Sequence, residues 1–274
     1  MKDSRLGIIT NNPDAVFQRS VIMGIEEVAA ECEYATVVQA YERHSEQALP
    51  GLADLDGLLV ISNALPDDLL RHIYESRKPI SLVSHQVADL SIPVVMSNNV
   101  QGIAELVRHL VRCQRRDLVF IRGLMDQNDG QERELSLRQE FVRCKLNVPE
   151  SHFLRGDFTP EVAAESVKRV LEQGLNFDAI VASDYVMAIA AIEVLRSAGI
   201  SVPGDVSVVG FGDGPEAELA GLTTVAANIS ELGRCAARQL IRQIKGSRIS
   251  GVTMLSVKLI VRDTCGYKAA AAVD

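Results

Sequence analysis

The sequence has no tryptophan and no Cys-x-x-Cys pair. Its five cysteines, Cys32, Cys113, Cys144, Cys235 and Cys265, are odd in number and scattered. That pattern excludes a disulfide framework and a zinc-finger spacing, and it predicts reduced thiols in a cytoplasmic protein. No apolar run approaches the ~20 residues needed to cross a bilayer, so no membrane partner is expected. The opening "MKDSRLGIITNNPD" lacks the apolar stretch of a signal peptide, and none is expected. Clustered basic residues are also missing. With 36 acidic against 28 basic side chains the formal charge is −8. That balance argues against a nucleic-acid surface, which needs grouped Lys and Arg.

Catalytic signatures are absent as well. There is no Gly-x-Ser-x-Gly elbow and no Gly-Lys-Ser/Thr phosphate loop. The five histidines, His44, His72, His85, His109 and His152, show no metal-ligand spacing. No catalytic residue, metal or cofactor is expected, and a binding module is favoured over an enzyme.

What the chain does have is an apolar content of 47%, ample for a core. Short β-rich runs alternate with amphipathic stretches nearly throughout. Strands are expected at 5–10, 34–39, 56–62, 79–84, 92–97, 117–122, 177–183, 205–211, 222–228 and 253–263. The intervening helices include one with Phe17, Val21, Ile25, Val28 and Cys32 on its apolar face. Others run over 100–111, around 134–144, from Pro160 to Gly174, over 185–198 and over 230–245. Asp184 opens the helix at 185 in N-cap position. Strands alternating with helices mean parallel sheets covered on both faces. There are too many units for one open sheet, so the expected fold is α/β with two doubly wound parallel-sheet lobes. No linker rich in Pro, Gly or Ser separates them, and several short crossovers are expected.

The stretch "DVSVVGFGDGPEAE" (205–218) raises the question of a phosphate cradle. Its glycines do not have the Gly-x-Gly-x-x-Gly spacing of a dinucleotide loop, and Pro215 sits where the following helix would have to begin. The loop fits instead a ligand-lining turn at the carboxyl end of a parallel strand.

Several stretches, in this order, resemble the effector-binding core of the lactose/galactose repressor family. They are "GIEEVAA" (24–30), "DGLLVIS" (56–62), "FDAIVASDYVMAIAAIEVLRSAGISVPGDVSVVGFGD" (177–213), "LTTVAANISELGRCAARQLI" (222–241) and "KLIVRD" (258–263). The resemblance covers about residues 5–264. It implies a fold like that of periplasmic binding proteins, with a ligand cleft between the lobes. The lobes are expected at 1–98 with 229–250 and at 99–228 with 251–266, followed by a tail at 267–274. It also implies a small-molecule effector, a sugar or a related polar metabolite, and a homodimer. DNA is expected to be met only through an amino-terminal helix-turn-helix outside this sequence. The alternatives are the same sensor fused to a kinase or cyclase, or a free-standing sugar-binding protein.

Carried over residue by residue, the resemblance implies ligand contacts from Phe17 and Gln18, from Ser84 and His85, and from Arg138 as the clamping arginine. Phe158 is implied as a stacking aromatic, with Ser183, Asp184 and Asp213 as polar contacts. Gly212 stands where the family carries an aspartate, and Ala227 where it carries a polar residue. Loss of those acceptors is expected to change the ligand class or weaken binding of ordinary sugars.

Overall fold

The computed structural model describes residues 4–41 and 51–266. His44 and the tail at 267–274 lie outside the described residues. In chain order the elements are β1 (Arg5–Thr10), α1 (Val16–Glu31), β2 (Ala35–Ala40), β3 (Gly57–Ile61), α2 (Asp67–Glu75), β4 (Ile80–Val83), β5 (Val94–Ser97) and α3 (Asn99–Arg112). They continue with β6 (Leu118–Arg122), α4 (Asn128–Arg143), β7 (Phe153–Arg155), α5 (Pro160–Glu172), β8 (Ala179–Ala182) and α6 (Tyr185–Ser197). The last are β9 (Ser207–Phe211), α7 (Pro215–Leu219), β10 (Thr223–Ala227), α8 (Ile229–Ile244), β11 (Val252–Leu255) and β12 (Val257–Ile260).

The chain forms two units, Met1–Ser97 with Asn228–Leu255 and Asn98–Ala227 with Ser256–Asp274. The first holds a sheet in the order β11-β5-β4-β3-β1-β2, parallel throughout. The second holds β12-β10-β9-β8-β6-β7, parallel except for β12, which runs against β10. Fully buried runs such as Gly57–Ile61 and Ser207–Phe211 explain the parallel arrangement, because both faces of each strand are covered. The fold class is therefore the α/β, two-sheet architecture expected.

Three expectations need correction. The run at 253–263 is two strands: β11 pairs with β5 in the first unit, and β12 with β10 in the second. Val252–Leu255 thus joins the first unit, although the sequence reading puts 251–266 in the second. Alternating side chains read as one strand through Ser256, and nothing in that pattern records a change of sheet. Pro215 does begin a helix, the short α7, since proline is tolerated at a first helical position. Finally, α4 begins at Asn128, two turns before the apolar residues that first signal it.

The first unit depends on an unusually close helix pair. A Cβ on Gly24 of α1 would lie 1.9 Å from the Ser230 carbonyl oxygen, and one on Gly233 of α8 would lie 2.1 Å from that of Val21. Glycine inside a helix ordinarily costs roughly 1 kcal/mol relative to alanine. Here it lets two backbones touch, and Val21, Ile25, Val28, Leu232, Ala236 and Leu240 close into one core around them. Gly24→Ala should destabilise the protein by about 3 kcal/mol, the upper end for overpacking, because the obstacle is backbone. Gly7→Ala should cost less, since its Cβ meets only the Leu55 and Leu58 side chains. Urea unfolding of the two variants checks the order.

Candidate functional site

The carboxyl ends of parallel strands are where α/β proteins build pockets. In the second unit those ends gather a buried charge that the sequence did not single out. Arg133, on the second turn of α4, is 6% exposed. Its guanidinium lies over the Phe211 ring at 4.0 Å from the centroid, with the Phe158 ring at 5.8 Å. Its Nε donates to Asn99 Oδ1 at 2.8 Å, and its Nη1 donates to the Ser183 carbonyl at 2.7 Å. Asp129, one helical turn back, supplies the countercharge, 3.5 Å from Nη2. Asn99 in turn donates to Asp129 Oδ1 at 2.9 Å and to Glu132 Oε2 at 2.7 Å. One cation therefore ties together α3, α4, the loop after β8 and the end of β9.

Next to it, Asp184 is the N-cap of α6, accepting from the Met187 N–H at 2.7 Å. Burial pushes its carboxyl up to about 6, against the opposing pull of the Met187 and Val186 N–H groups and of Arg133. The Ser183 hydroxyl is buried without a hydrogen-bond partner. Phe158 sits at φ +55°, uncommon for a bulky residue. Its ring fills the space above Gly123, where a Cβ would lie 2.1 Å from Cζ. Gly212 sits at φ +86°, and the Gly212 N–H donates to the Val225 carbonyl at 2.8 Å. The glycine after Phe211 thus serves a left-handed turn that other residues adopt only with strain.

In the first unit the Thr10 hydroxyl at the end of β1 and the Ser84 hydroxyl after β4 are both buried without hydrogen-bond partners. Ser84 adopts φ +55°. His85 is buried, with Nε2 2.9 Å from Asp67 Oδ1 at the start of α2. Gln18 is buried on the first turn of α1 and reaches Asn11 Oδ1 at 3.4 Å. Phe17 packs against the core of this unit.

Two of the expected site residues have other engagements. Arg138 shares no partner with Arg133. It stacks on Phe153 at 3.7 Å and pairs with Glu134 and Glu150. Asp213 is gripped by both Nη groups of Arg262, at 2.9 and 2.8 Å. Arg133, Asn99 and Thr10 are candidate residues that no sequence pattern marks. Arg133 belongs to "NDGQERE", whose polarity reads as a loop, and a charged residue carries no apolar periodicity to mark it as buried. "Glu-Arg-Glu" next to a strand end is the one signal that could have drawn attention to it.

Comparison with known proteins places the chain in a family. Residues 107–265, more than half of the chain, match the periplasmic binding protein-like domain. The chain belongs to that family. Within it, the core is of the lactose/galactose repressor type. It is 26% identical over 254 residues to the HTH-type transcriptional repressor CytR of Escherichia coli, spanning 90% of this chain and 74% of that protein. It is 29% identical over 223 residues to the HTH-type transcriptional regulator AscG of Escherichia coli, spanning 80% of this chain and 66% of that protein. The solved complex of the regulator CelR with cellobiose superimposes with a TM-score of 0.87 at 24% identity, over 96% of this chain and 84% of that one. The fold of this periplasmic binding protein-like core is thus that of regulators. Among the described residues no helix is long and apolar enough to cross a membrane.

A carboxyl raised above its ordinary 3.8 binds its proton more tightly when folded. Ionisation of Asp184 therefore opposes folding: the penalty is absent below the ordinary value and complete above about 6. Arg133 favours the ionised form, so Arg133→Met should move the Asp184 midpoint further up. Carboxyl carbon NMR titration of both proteins tests this, and an unchanged midpoint would mean that the two groups do not interact.

Proposed function

We propose that this chain is the ligand-sensing part of a transcriptional regulator. It takes a small polar effector, a sugar or a related metabolite. Effector binding is transmitted to a DNA-binding part of the regulator, and the sensing cores form a homodimer. The observation that carries this reading is the Arg133 cluster. A buried guanidinium, fixed by Asn99, Ser183 and Asp129 and stacked on Phe211, has more N–H donors than those bonds use. Such a group suits hydroxyl or carboxylate oxygens, and it costs no reorganisation when they arrive.

Support comes from the buried hydroxyls of Ser183, Ser84 and Thr10, each without a hydrogen-bond partner. A buried polar group without a partner costs about 1–3 kcal/mol, which a hydroxylated ligand recovers. Phe158 offers an apolar face beside Arg133, and Asp184 adds a polar group in the same unit; Gln18 and His85 are the candidate polar contacts of the first unit. The clamping role implied for Arg138 passes to Arg133, because Arg138 is held by two carboxylates. The solved relative CelR holds cellobiose, which supports a carbohydrate as the ligand class here. The runner-up, a sensor fused to a signalling enzyme, uses the same site, but the relatives described above are named as transcriptional regulators.

A thermal-shift panel of mono- and disaccharides, nucleosides and sugar acids tests the reading, since a ligand that binds only the folded state raises Tm with its concentration. At least one class should stabilise the protein. Arg133→Lys, which keeps the charge but loses the planar fork, should reduce that response at least tenfold in apparent Kd, and Arg138→Ala should leave it within twofold. Loss of the response in Arg138→Ala with Arg133→Lys unaffected would contradict the assignment. Gly212→Asp should not restore a family-like grip, because its φ of +86° strains any side chain there.

A further inference from the structure

Away from those strand ends, the second unit brings together three soft metal ligands that are far apart in sequence. His109 lies on the last turn of α3 and Cys113 is the C-cap of that helix, one turn on. Cys265 comes from the far end of the described chain, in the short 3-10 helix Asp263–Cys265. That segment is firmly seated. The Thr264 hydroxyl donates to the Val208 carbonyl at 2.6 Å and accepts from the Thr223 N–H at 2.9 Å, while the Ser207 hydroxyl donates to the Cys265 carbonyl at 3.0 Å. The ligand atoms of His109, Cys113 and Cys265 all lie within 4.8 Å of one another. Cys113 Sγ is 3.6 Å from His109 Nε2.

We propose that His109, Cys113 and Cys265 form a binding site for a thiophilic divalent cation of the zinc class, clasping the 263–265 segment to the end of α3. The geometry fits the ion. With metal–sulfur and metal–nitrogen bonds of about 2.3 and 2.05 Å, the edge of a tetrahedron between S and N is about 3.6 Å, the separation found here. Charge fits as well. A divalent cation with two thiolates and a neutral imidazole sums to zero, so the complex avoids the cost of a buried net charge.

The resting protonation states agree with this. Burial, followed by the Arg112 charge, lowers the His109 pKa and keeps its imidazole neutral. Burial and the neighbouring Cys265 push the Cys113 thiol up to about 11, while Arg112 and Arg115 oppose them. The metal-free Cys113 thiol is thus protonated at neutral pH. Binding displaces one proton from each thiol, as coordination ordinarily does. Cys265 is fully buried and His109 is 2% exposed, whereas Cys113 is partly open, so the ion enters past Cys113. The fourth position is left to water or a small external ligand.

The reduced protein, dialysed against chelator, is titrated with Zn²⁺ and, separately, with Co²⁺ as a spectroscopic probe. The proposal expects about one equivalent bound, release of two protons per Zn²⁺ at neutral pH, and thiolate-to-cobalt charge transfer with the strong visible bands of a tetrahedral ion. Zn²⁺ should also protect two of the five thiols from a thiol reagent. Cys113→Ser, at the partly open position, should abolish the charge-transfer band or weaken binding at least a hundredfold, while Cys144→Ser should change neither. If Cys113→Ser fails to fold, the wild-type cobalt spectrum and proton count still decide. A spectrum without thiolate bands, binding that survives Cys113→Ser, or loss of two thiols to a disulfide with no retained metal would each overturn the proposal.

Discussion

A buried cation organises the carboxyl strand ends of the second sheet. The Arg133 guanidinium lies between an aromatic face, that of Phe211, and three oxygen acceptors from three different elements. A charge taken out of water survives only if its partners are close and correctly oriented, and removing one partner leaves an uncompensated ion. Asn99, Asp129 and Ser183 are therefore held in place by the need to satisfy Arg133. Phe211 and the turn at Gly212 follow from the need to stack on it. The position of Asp184 at the start of α6 is tied to the same charge, since Ser183 before it supplies a carbonyl to Arg133.

The helix that carries Arg133 follows the same logic along its length. Its buried side chains are largely charged, and each buried acid on it faces an arginine. Asp129 meets Arg133, Glu134 meets Arg122 and Arg138, and Glu140 is held by Arg108 at 3.0 Å. The Arg138 network, with its ring partner Phe153, is thus a brace between α4 and β7, with one flank in solvent. The first unit is built differently. Its strength lies in the apolar seam where α1 and α8 touch at Gly24 and Gly233.

This difference explains what could be read from the sequence. Apolar periodicity revealed β1, β3, β4, β5, β8 and β9 and the helices α1, α3, α6 and α8 almost to the residue, because burial there is hydrophobic. The N-cap role of Asp184 was legible from its position before an apolar run. The first two turns of α4 were not, because Asn128 to Glu132 are polar and Gly130 favours loops. They are helical because tertiary partners satisfy them, and a Cβ at Gly130 would lie 2.1 Å from the Leu124 carbonyl oxygen. Arg138 stood out only through the family resemblance, and Arg133, which the structure buries, carried no such mark. The cluster of His109, Cys113 and Cys265 was invisible to spacing rules, since its third member arrives 152 positions after the second, counted from 113 to 265.

Arg133 is the fixed anchor of the candidate site, and a double-mutant cycle measures that directly. Arg133→Met, Asp129→Asn and the double variant are unfolded in urea. Each single change should cost several kcal/mol, about 3–5 where a buried ion loses its partner. The double variant should cost less than their sum, with a coupling energy of about 1–3 kcal/mol. Costs that add to within about 0.5 kcal/mol would show that the two charges do not depend on one another, and the anchor at the centre of this account would be contradicted.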